Sequence, residues 1–323
     1  YYYLSLSLGV FVADQMQPGS TESTMQTQSH VMTNLTALSR LIRLPLSAMV
    51  ALSALAGALA ASPYLPWLSL WAIVWGIFLL SAACSVLNQV QERFTDALMR
   101  RTCRRPLACG DLAPGAGMTV GLLLASGGLG ILLATSGTTA SLVGLAATVW
   151  YLAVYTPLKR LSCLAVIAGT PCGALPPLIG WIAAGGDPFD PRPLSLVLLM
   201  VLWQVPHYWL LAMPDRDELL RAGFKVLPGK MSGHQLLSIS HFWILGMITA
   251  TLLLPPFKLV QLPFLQSLVA GLAIAFAIWT TRVQRKTLFI EKSAQKLRIG
   301  LHLYLGLVLG TILLNGLFLR LVY

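Results

Sequence analysis

Nine long stretches of apolar residues constrain this chain more than any other feature. The hydrocarbon core of a membrane is about 30 Å thick, and a helix needs roughly 20 apolar residues to cross it. The stretches are residues 45–62, 66–87, 114–134, 138–155, 163–185, 193–213, 240–257, 263–281 and 299–319. They predict an all-α, polytopic membrane protein with nine transmembrane helices.

The composition excludes the other broad classes of protein. Of the 323 residues, 56% are hydrophobic and only 10% are charged, whereas soluble domains carry roughly 25% charged residues. The five cysteines have no regular spacing, so a disulfide scaffold is excluded as well. Residues 1–40 differ from the rest because they include a polar stretch rich in Ser, Thr and Gln. We predict a disordered N-terminal tail over 1–40 and a transmembrane domain over 41–323.

Basic residues are distributed unequally between the two sides that nine spans define. If the amino terminus is cytoplasmic, 19 of the 22 Lys and Arg residues fall on the cytoplasmic side, and the exceptions are Arg192, Lys258 and Arg320. This asymmetry satisfies the positive-inside rule. It also accounts for most of the net charge of +11, so the charge does not indicate nucleic-acid binding.

Acidic residues concentrate in two places on the cytoplasmic side. Asn88, Glu92 and Asp96 follow the second span, where we expect the helix to continue until Pro106. Steps of four residues rotate a helical side chain by only about 40°, so the three should share a face. The second cluster, at the end of span six, contains Asp215, Asp217 and Glu218. Such oxygen ligands suit Mg²⁺, which also binds phosphate oxygens.

Basic side chains adjoin both clusters. Arginine binds phosphate through two hydrogen bonds and lysine binds it as a point charge. The residues concerned are Arg100, Arg101, Arg104 and Arg105 after the first cluster, and Lys159 and Arg160 at the end of span four. Together with Mg²⁺ ligands they indicate a site for a diphosphate that carries a lipid tail. The alternatives are that the acids lie in solvated loops and that the arginines only anchor the topology.

Two further features lie within the spans. His207 is in span six, about two turns before the second acidic cluster, and an intramembrane histidine is a functional candidate by default. The alternative for His207 is a satisfied hydrogen bond between helices, and we expect His302 to be an interface residue. Pro176 and Pro177 should break span five. Broken helices occur in a bilayer where they face protein or a cavity, so we expect this span to line a substrate chamber.

The motifs, taken together, identify a family. The first acidic cluster continues into Met99, Arg101, Thr102 and an Arg-Pro-Leu at 105–107, and Tyr155 with Lys159 forms a Tyr-x-x-x-Lys motif. Three longer motifs are GALPPLIGW at 173–181, WQVPHYW at 203–209 and AG-x-x-x-LP at 222–228. The chain resembles the UbiA superfamily of intramembrane prenyltransferases and, within it, the protoheme IX farnesyltransferases. It departs from the family at Arg43-Leu44, where many relatives have Lys-Pro, and at Leu219, where the second D-x-x-x-D motif has Asp.

The resemblance implies a UbiA-like helix bundle around a central cavity, in the cell inner (plasma) membrane, with the active site facing the cytoplasm. The implied reaction joins the farnesyl group of farnesyl diphosphate to a vinyl group of protohaem IX. Water then adds, and haem O and diphosphate are released. The implied partners are the lipid bilayer and a downstream haem A synthase or terminal oxidase assembly.

The resemblance also implies roles for individual residues. The implied Mg²⁺ ligands are Asn88, Glu92, Asp96, Asp215, Asp217 and Glu218. The implied catalytic residues are Asn88, Glu92, Asp96, Tyr155 and Asp217, and the implied diphosphate ligands are Arg101, Arg105, Lys159 and Arg160. His207 is the candidate for contact with haem.

Two other functions remain open at this level. One is a UbiA-type prenyltransferase that acts on a different aromatic or tetrapyrrole acceptor. The other is a secondary transporter of an anionic solute, which would also use broken helices and buried charges. The charged residues lie at one surface instead of the midplane, which disfavours the transporter.

Overall fold

The computed structural model describes residues 35–285 and 290–322, and in these ranges the regular elements are all helices. Most of the tail predicted over 1–40, namely residues 1–34, lies outside the described residues. Its last part, from residue 35, belongs to a helical segment that runs to residue 41. The helices are α1 (Leu44–Ala61), α2 (Trp67–Ala97), α3 (Pro114–Val149), α4 (Thr156–Leu161), α5 (Ala165–Ala174), α6 (Pro176–Ala183), α7 (Pro191–Ala212), α8 (Arg216–Arg221), α9 (Gly233–Leu252), α10 (Pro263–Arg285) and α11 (Ile290–Val322). Shorter elements are a helical turn at Pro106–Cys109, a π-helical turn at Trp150–Tyr155 and a 3₁₀ turn at Leu227–Gly229.

The third long helix reverses direction at Gly137. This residue has φ 82° and ψ −179°, a conformation that only glycine adopts readily. The Ser141 Oγ donates a hydrogen bond to the carbonyl oxygen of Leu129 at 3.2 Å, whereas twelve residues of continuous helix would separate them by about 18 Å. Pro114–Leu161 therefore crosses the membrane twice. Among the described residues there are eight segments apolar and long enough to span, and this reversal confirms the predicted nine spans.

The helix that carries the first acidic cluster is shorter than the sequence indicates. Continuation to Pro106 is wrong, because α2 ends at Ala97. The buried Thr102 hydroxyl donates to the Asp96 carbonyl oxygen at 2.8 Å, and this bond folds the following loop back onto the helix end. The fold-back brings Arg105 to Asp96, which a continuous helix would have held about 13 Å away along its axis.

Span five is broken, as predicted, and its second half is held against α1. Helix α5 ends before Leu175 and α6 begins at Pro176, because the prolines at 176 and 177 provide no N–H to continue the α5 ladder. A Cβ at Gly57 of α1 would overlap the backbone of Pro177, and a Cβ at Gly180 of α6 would overlap the backbone of Ala54. Glycine at both positions therefore permits contact between the two backbones.

The core has two main parts. One joins α1, α2, α3 and α6 and includes Leu59, Ile73 and Leu132. The other joins mainly α7, α9, α10 and α11, with Leu199 and Ile244 among its fully buried side chains. Packing in these two parts fixes the relative positions of the helices that carry the buried polar side chains.

Candidate active site

Two cavities with different linings meet within the described bundle. The charged residues that line the first are Arg43, Glu92, Asp96, Arg101, Arg105, Lys159, Asp215 and Lys225. The second is lined mainly by apolar and small residues, including Val50, Ile77, Leu80, Gly144, Ala147 and Ile179. Both cavities include Arg43, Tyr151, Tyr155 and Tyr208 in their linings. These four residues mark the junction between a charged compartment and an apolar one.

The first acidic cluster faces one side of α2, as its spacing predicts. The Asn88 amide donates to Glu92 Oε2 at 2.9 Å and to Thr156 Oγ1 at 3.3 Å, and Asn88 Oδ1 accepts from Arg43 at 3.0 Å. Lys159 Nζ lies 2.7 Å from Glu92 Oε1 and 2.9 Å from Oε2. Asn88 is fully buried and does not contribute to the lining of either cavity described here. Asn88 therefore supports Glu92 through a hydrogen bond from outside the cavity lining.

Asp96 is paired with the arginine that the loop returns to it. Arg105 Nη1 lies 2.6 Å from Asp96 Oδ2, and the Asp96 side chain is 2% exposed. Burial lowers the pKa of Arg105 to about 10, with a further decrease from the charge of Arg43 and an opposing contribution from Asp96. Arg105 therefore remains charged at neutral pH and presents a partly desolvated cation to the first cavity.

The second acidic cluster divides between the cavity and the surface. Asp215 lines the first cavity, where its carboxylate lies 3.3 Å from Arg101 Nε. The Asp217 side chain is 85% exposed and its carboxylate lies 3.8 Å from Arg216 Nε. The structure thus brings Asp215, but not Asp217, to the residues of α2.

Glu218 ties two loops together. Its carboxylate accepts from the backbone N–H of Arg100 at 3.1 Å and lies at the same distance from Arg100 Nε. Below this contact, Met99 packs with Ala222 and Phe224 in a small buried cluster. The position of Glu218 therefore supports a role in holding the loop after α2 against the segment after α7.

The Tyr-x-x-x-Lys motif straddles the end of the π-helical turn. Tyr155 is buried, and Lys159 Nζ lies 5.1 Å from the centre of its ring. The wider turn is the kind of local irregularity often found at functional sites, and here it places Tyr151 and Tyr155 in the cavity linings. Arg160, in contrast, is exposed and lies 3.5 Å from Thr95 Oγ1, so it is not among the residues that line the charged cavity.

His207 lies outside the linings of these two cavities. Its ring stacks on Trp203 with centroids 4.9 Å apart, and it meets the His302 ring edge-on at 4.5 Å. The His207 Nδ1 atom is buried, and none of the described residues forms a hydrogen bond with it. The interhelical hydrogen bond considered as the alternative role is therefore not made by this nitrogen.

Three carboxylates and five cations line the charged cavity, and their chemistry fits a magnesium diphosphate. No group of three His, Cys, Asp or Glu side chains within residues 35–285 and 290–322 forms a ready-made metal cluster. Mg²⁺ usually binds through one or two carboxylates together with waters and substrate phosphates. Glu92, Asp96 and Asp215 provide carboxylates of this kind, each within 3.3 Å of a cation.

Arg43, Tyr151 and Tyr208 are site residues that sequence reasoning did not identify. Arg43 has φ 47°, which is rare for a residue other than glycine and is often retained at functional sites. Its Nε is buried without a hydrogen-bond partner within residues 35–285 and 290–322. Because Arg43 also satisfies the positive-inside rule, its sequence position alone indicates an anchor. The spacing of Tyr151 from Tyr155 and the location of Tyr208 in WQVPHYW were the available signals.

Comparison with known proteins identifies the family of this chain. The profile of the UbiA prenyltransferase family matches residues 49–296. A protoheme IX farnesyltransferase of Geobacter sulfurreducens is 43% identical over 59% of this chain and 70% of its own length. One from Oleidesulfovibrio alaskensis is 39% identical over 75% of this chain and 84% of its own length. These matches confirm the resemblance that the motifs indicate.

A solved structure shows the same fold. A UbiA homologue from Archaeoglobus fulgidus, described as bound to GPP and Mg²⁺, superposes with a TM-score of 0.62 at 13% identity, over 85% of this chain and 99% of that one. The predicted UbiA-like architecture is confirmed. This multi-pass membrane chain belongs to the UbiA prenyltransferase family.

Proposed function

We propose that this protein transfers the farnesyl group of farnesyl diphosphate to a vinyl group of protohaem IX, giving haem O and diphosphate. The observation that carries the proposal is the junction of a charged cavity and an apolar cavity at three tyrosines and Arg43. A prenyl diphosphate has the same division, with a charged head and an apolar tail. The protoheme IX farnesyltransferases among the relatives support haem as the acceptor.

The charged cavity supplies ligands for the diphosphate. Lys159, Arg105 and Arg101 carry positive charge toward it, and preorganised charges of this kind stabilise a leaving group where negative charge develops. Each of these three cations forms an ion pair with a carboxylate. Binding of the diphosphate would replace that carboxylate with a phosphate oxygen as the anionic partner. Arg160 lies farther out and contributes only to the positive charge at the entrance.

Glu92, Asp96 and Asp215 are the residues that would hold Mg²⁺, with Asn88 positioning Glu92. Bound there, the ion would neutralise the leaving diphosphate as a Lewis acid. Asp217 and Glu218 are less suited to this role, because one is exposed to solvent and the other holds the Arg100 loop. The structure of the relative described as bound to GPP and Mg²⁺ supports a metal-dependent reaction.

Tyr155 is proposed to face the allylic cation that remains when the diphosphate leaves. An aromatic ring stabilises a nearby cation through its quadrupole, and the effect increases when water is excluded. The apolar lining of the second cavity limits the access of water to this cation before the carbon–carbon bond forms. His207 is proposed to contact the haem, since its Nδ1 has no partner among the described residues.

The proposed location is the cell inner membrane with the charged cavity at the cytoplasmic surface. The distribution of Lys and Arg supports this orientation. The alternative of a secondary transporter is disfavoured, because the paired charges lie at the ends of α2, α4 and α7 and a transporter needs polar residues near the midplane. A different prenyl acceptor remains the closer alternative.

The test is to incubate membranes containing the protein with protohaem, farnesyl diphosphate and Mg²⁺ and to identify extracted tetrapyrroles by mass. We expect a farnesylated, hydrated haem whose formation stops when the metal is chelated and resumes when Mg²⁺ is added. Unchanged protohaem, in membranes where the folded protein is abundant, would contradict the proposal. Offering quinone precursors in the same assay would then identify a different acceptor, and uptake of labelled anions into vesicles would identify a transporter.

A further inference from the structure

Gln204 presents an unpaired hydrogen-bond acceptor to the apolar cavity. It lies on α7 and lines the second cavity, and the residue is only 6% exposed. Its Oε1 is buried and has no hydrogen-bond partner in the described part of the chain. A buried polar atom without a partner destabilises the protein, so an acceptor left open in an apolar cavity indicates that a donor occupies the site during function.

Two more acceptors lie beside Gln204. The carbonyl groups of Cys172 and Gly173 would normally accept from the N–H groups four residues later, but those residues are Pro176 and Pro177, which have no N–H. Both Cys172 and Gly173 line the same cavity. A Cβ on Gly173 would overlap the Gln204 side-chain amide, so the amide lies against the broken end of α5. Acceptors are thus concentrated where the two signature motifs GALPPLIGW and WQVPHYW meet.

Among the reactants of the proposed function, only water can satisfy these acceptors. The prenyl tail and the vinyl edge of haem have no N–H or O–H group. A buried water typically makes two to four hydrogen bonds to polar atoms, and here it could donate both hydrogens to Gln204 Oε1 and a neighbouring carbonyl. Its lone pairs would then face the cavity, which is the orientation that an attacking water needs.

We propose that Gln204 positions the water that adds to the prenylated vinyl group. This inference rests on the proposed function. In that reaction the C1–O bond of farnesyl diphosphate breaks with its electron pair on the diphosphate. The terminal vinyl carbon bonds to C1, which leaves a cation on the carbon attached to the porphyrin. The oxygen of the positioned water bonds to this carbon, and one proton of that water passes to the released diphosphate.

The location of Gln204 agrees with this order of events. It is one helical turn, about 6 Å, deeper along α7 than Tyr208, which lies at the junction of the two cavities. Gln204 lines only the second of these cavities, whereas Tyr208 lines both. The water is therefore held away from the farnesyl cation formed at the junction, and Tyr208 lies between it and the cavity that receives the diphosphate.

The experiment measures the ratio of hydrated to dehydrated product. If the water is not positioned, the porphyrin-bound cation loses a proton and gives a farnesylated haem lighter by one water. Gln204→Met keeps the size of the side chain and removes the acceptor, and we expect it to raise the share of dehydrated product on the order of tenfold. Gln204→Glu retains an acceptor oxygen and should keep the hydrated product. Gln91→Met, at an exposed glutamine bonded to Leu152, is the matched control and should not change the ratio.

The possible outcomes separate this inference from the proposed function. An unchanged product ratio in Gln204→Met, with turnover retained, would overturn the role of Gln204 and leave the farnesyl transfer intact. Complete loss of both products in a folded Gln204→Met protein would also overturn it, because a water-positioning residue is not needed for the carbon–carbon bond. If Gln204→Met does not accumulate in membranes, Gln204→Glu decides, since a fall in its hydrated share contradicts the proposal. Failure of the unaltered protein to form any farnesylated haem would refute the proposed function instead.

Discussion

Lys159 Nζ lies 2.7 Å from Glu92 Oε1, although the two residues are on different helices and 67 positions apart in the sequence. The pair joins the end of α4 to the middle of the acidic face of α2. It contributes one anion and one cation to the same cavity wall. We propose that both residues bind a magnesium diphosphate. Lys159 would bind a phosphate oxygen, and Glu92 would bind the metal.

Glu92→Gln should reduce kcat by on the order of 10²–10³-fold, because it removes one of the charges that we propose to stabilise the leaving group. The amide has nearly the same volume as the carboxylate and its oxygen can still accept a hydrogen bond from Lys159, so the protein should still insert and fold. Product formation at saturating substrates is the measurement. Gln91→Met provides the control for substitution on the same helix, and a Glu92→Gln variant with normal turnover would contradict a role for Glu92 in metal binding.

Asp215→Asn and Asp217→Asn should have different effects. Asp215 lines the charged cavity, whereas the Asp217 side chain is 85% exposed. We expect Asp215→Asn to lower kcat at least tenfold and to raise the Mg²⁺ concentration needed for half-maximal activity, while Asp217→Asn changes both by less than about twofold. A titration of activity with Mg²⁺ for the two variants checks this. If Asp217→Asn proved the more damaging change, the ligands would have to rearrange when substrate binds.

Arg105→Met should destabilise the fold as well as the site. It would leave Asp96, with a side chain only 2% exposed, as an unpaired buried charge, and loss of one member of a buried pair costs about 3–5 kcal/mol. Thermal unfolding in detergent is the measurement. The double variant Arg105→Met with Asp96→Asn should recover most of the lost stability but not the activity. No recovery would show that the ion pair is not the cause.

Gly57→Ala should destabilise the contact between α1 and α6. Its added Cβ would overlap the backbone of Pro177, which cannot move aside as a flexible side chain can, and overpacking of this kind costs about 1–3 kcal/mol. Gly115→Ala is the matched control, since no atom lies within 4 Å of the position of its Cβ. The unfolding temperatures of the two variants should differ by several degrees, with Gly57→Ala lower. Equal values would mean that the helices separate without cost.

Sequence patterns predicted the parts of the site that regular helices determine. The four-residue spacing of Asn88, Glu92 and Asp96 was sufficient because all three lie on the continuous helix α2. The pairing of Asp96 with Arg105 could not be predicted, because it depends on a loop that the Thr102 hydroxyl folds back. The choice between Asp215 and Asp217 was equally inaccessible, since it depends on where α8 begins.

Arg43 illustrates a different limit of sequence reasoning. An arginine before the first span satisfies the rule for topology, so its position carries no further signal. The structure places the same side chain on Asn88 Oδ1 and in the linings of both cavities. A residue can thus satisfy a general rule and a specific site at once, and only the three-dimensional contacts separate the two.

The reversal at Gly137 decides on which face of the membrane Lys159 lies. A continuous helix over the 48 residues from Pro114 to Leu161 would be about 72 Å long, more than twice the thickness of the hydrocarbon core. The backbone conformation of Gly137, which glycine adopts readily, divides this segment into two membrane spans. The chain then returns to the side of the membrane where Glu92 lies, and Lys159 can contact it. The reversal also raises the number of crossings from eight to nine, and an odd number places the two ends on opposite sides of the membrane. Reporter domains fused before span one and after span nine should therefore mark opposite compartments.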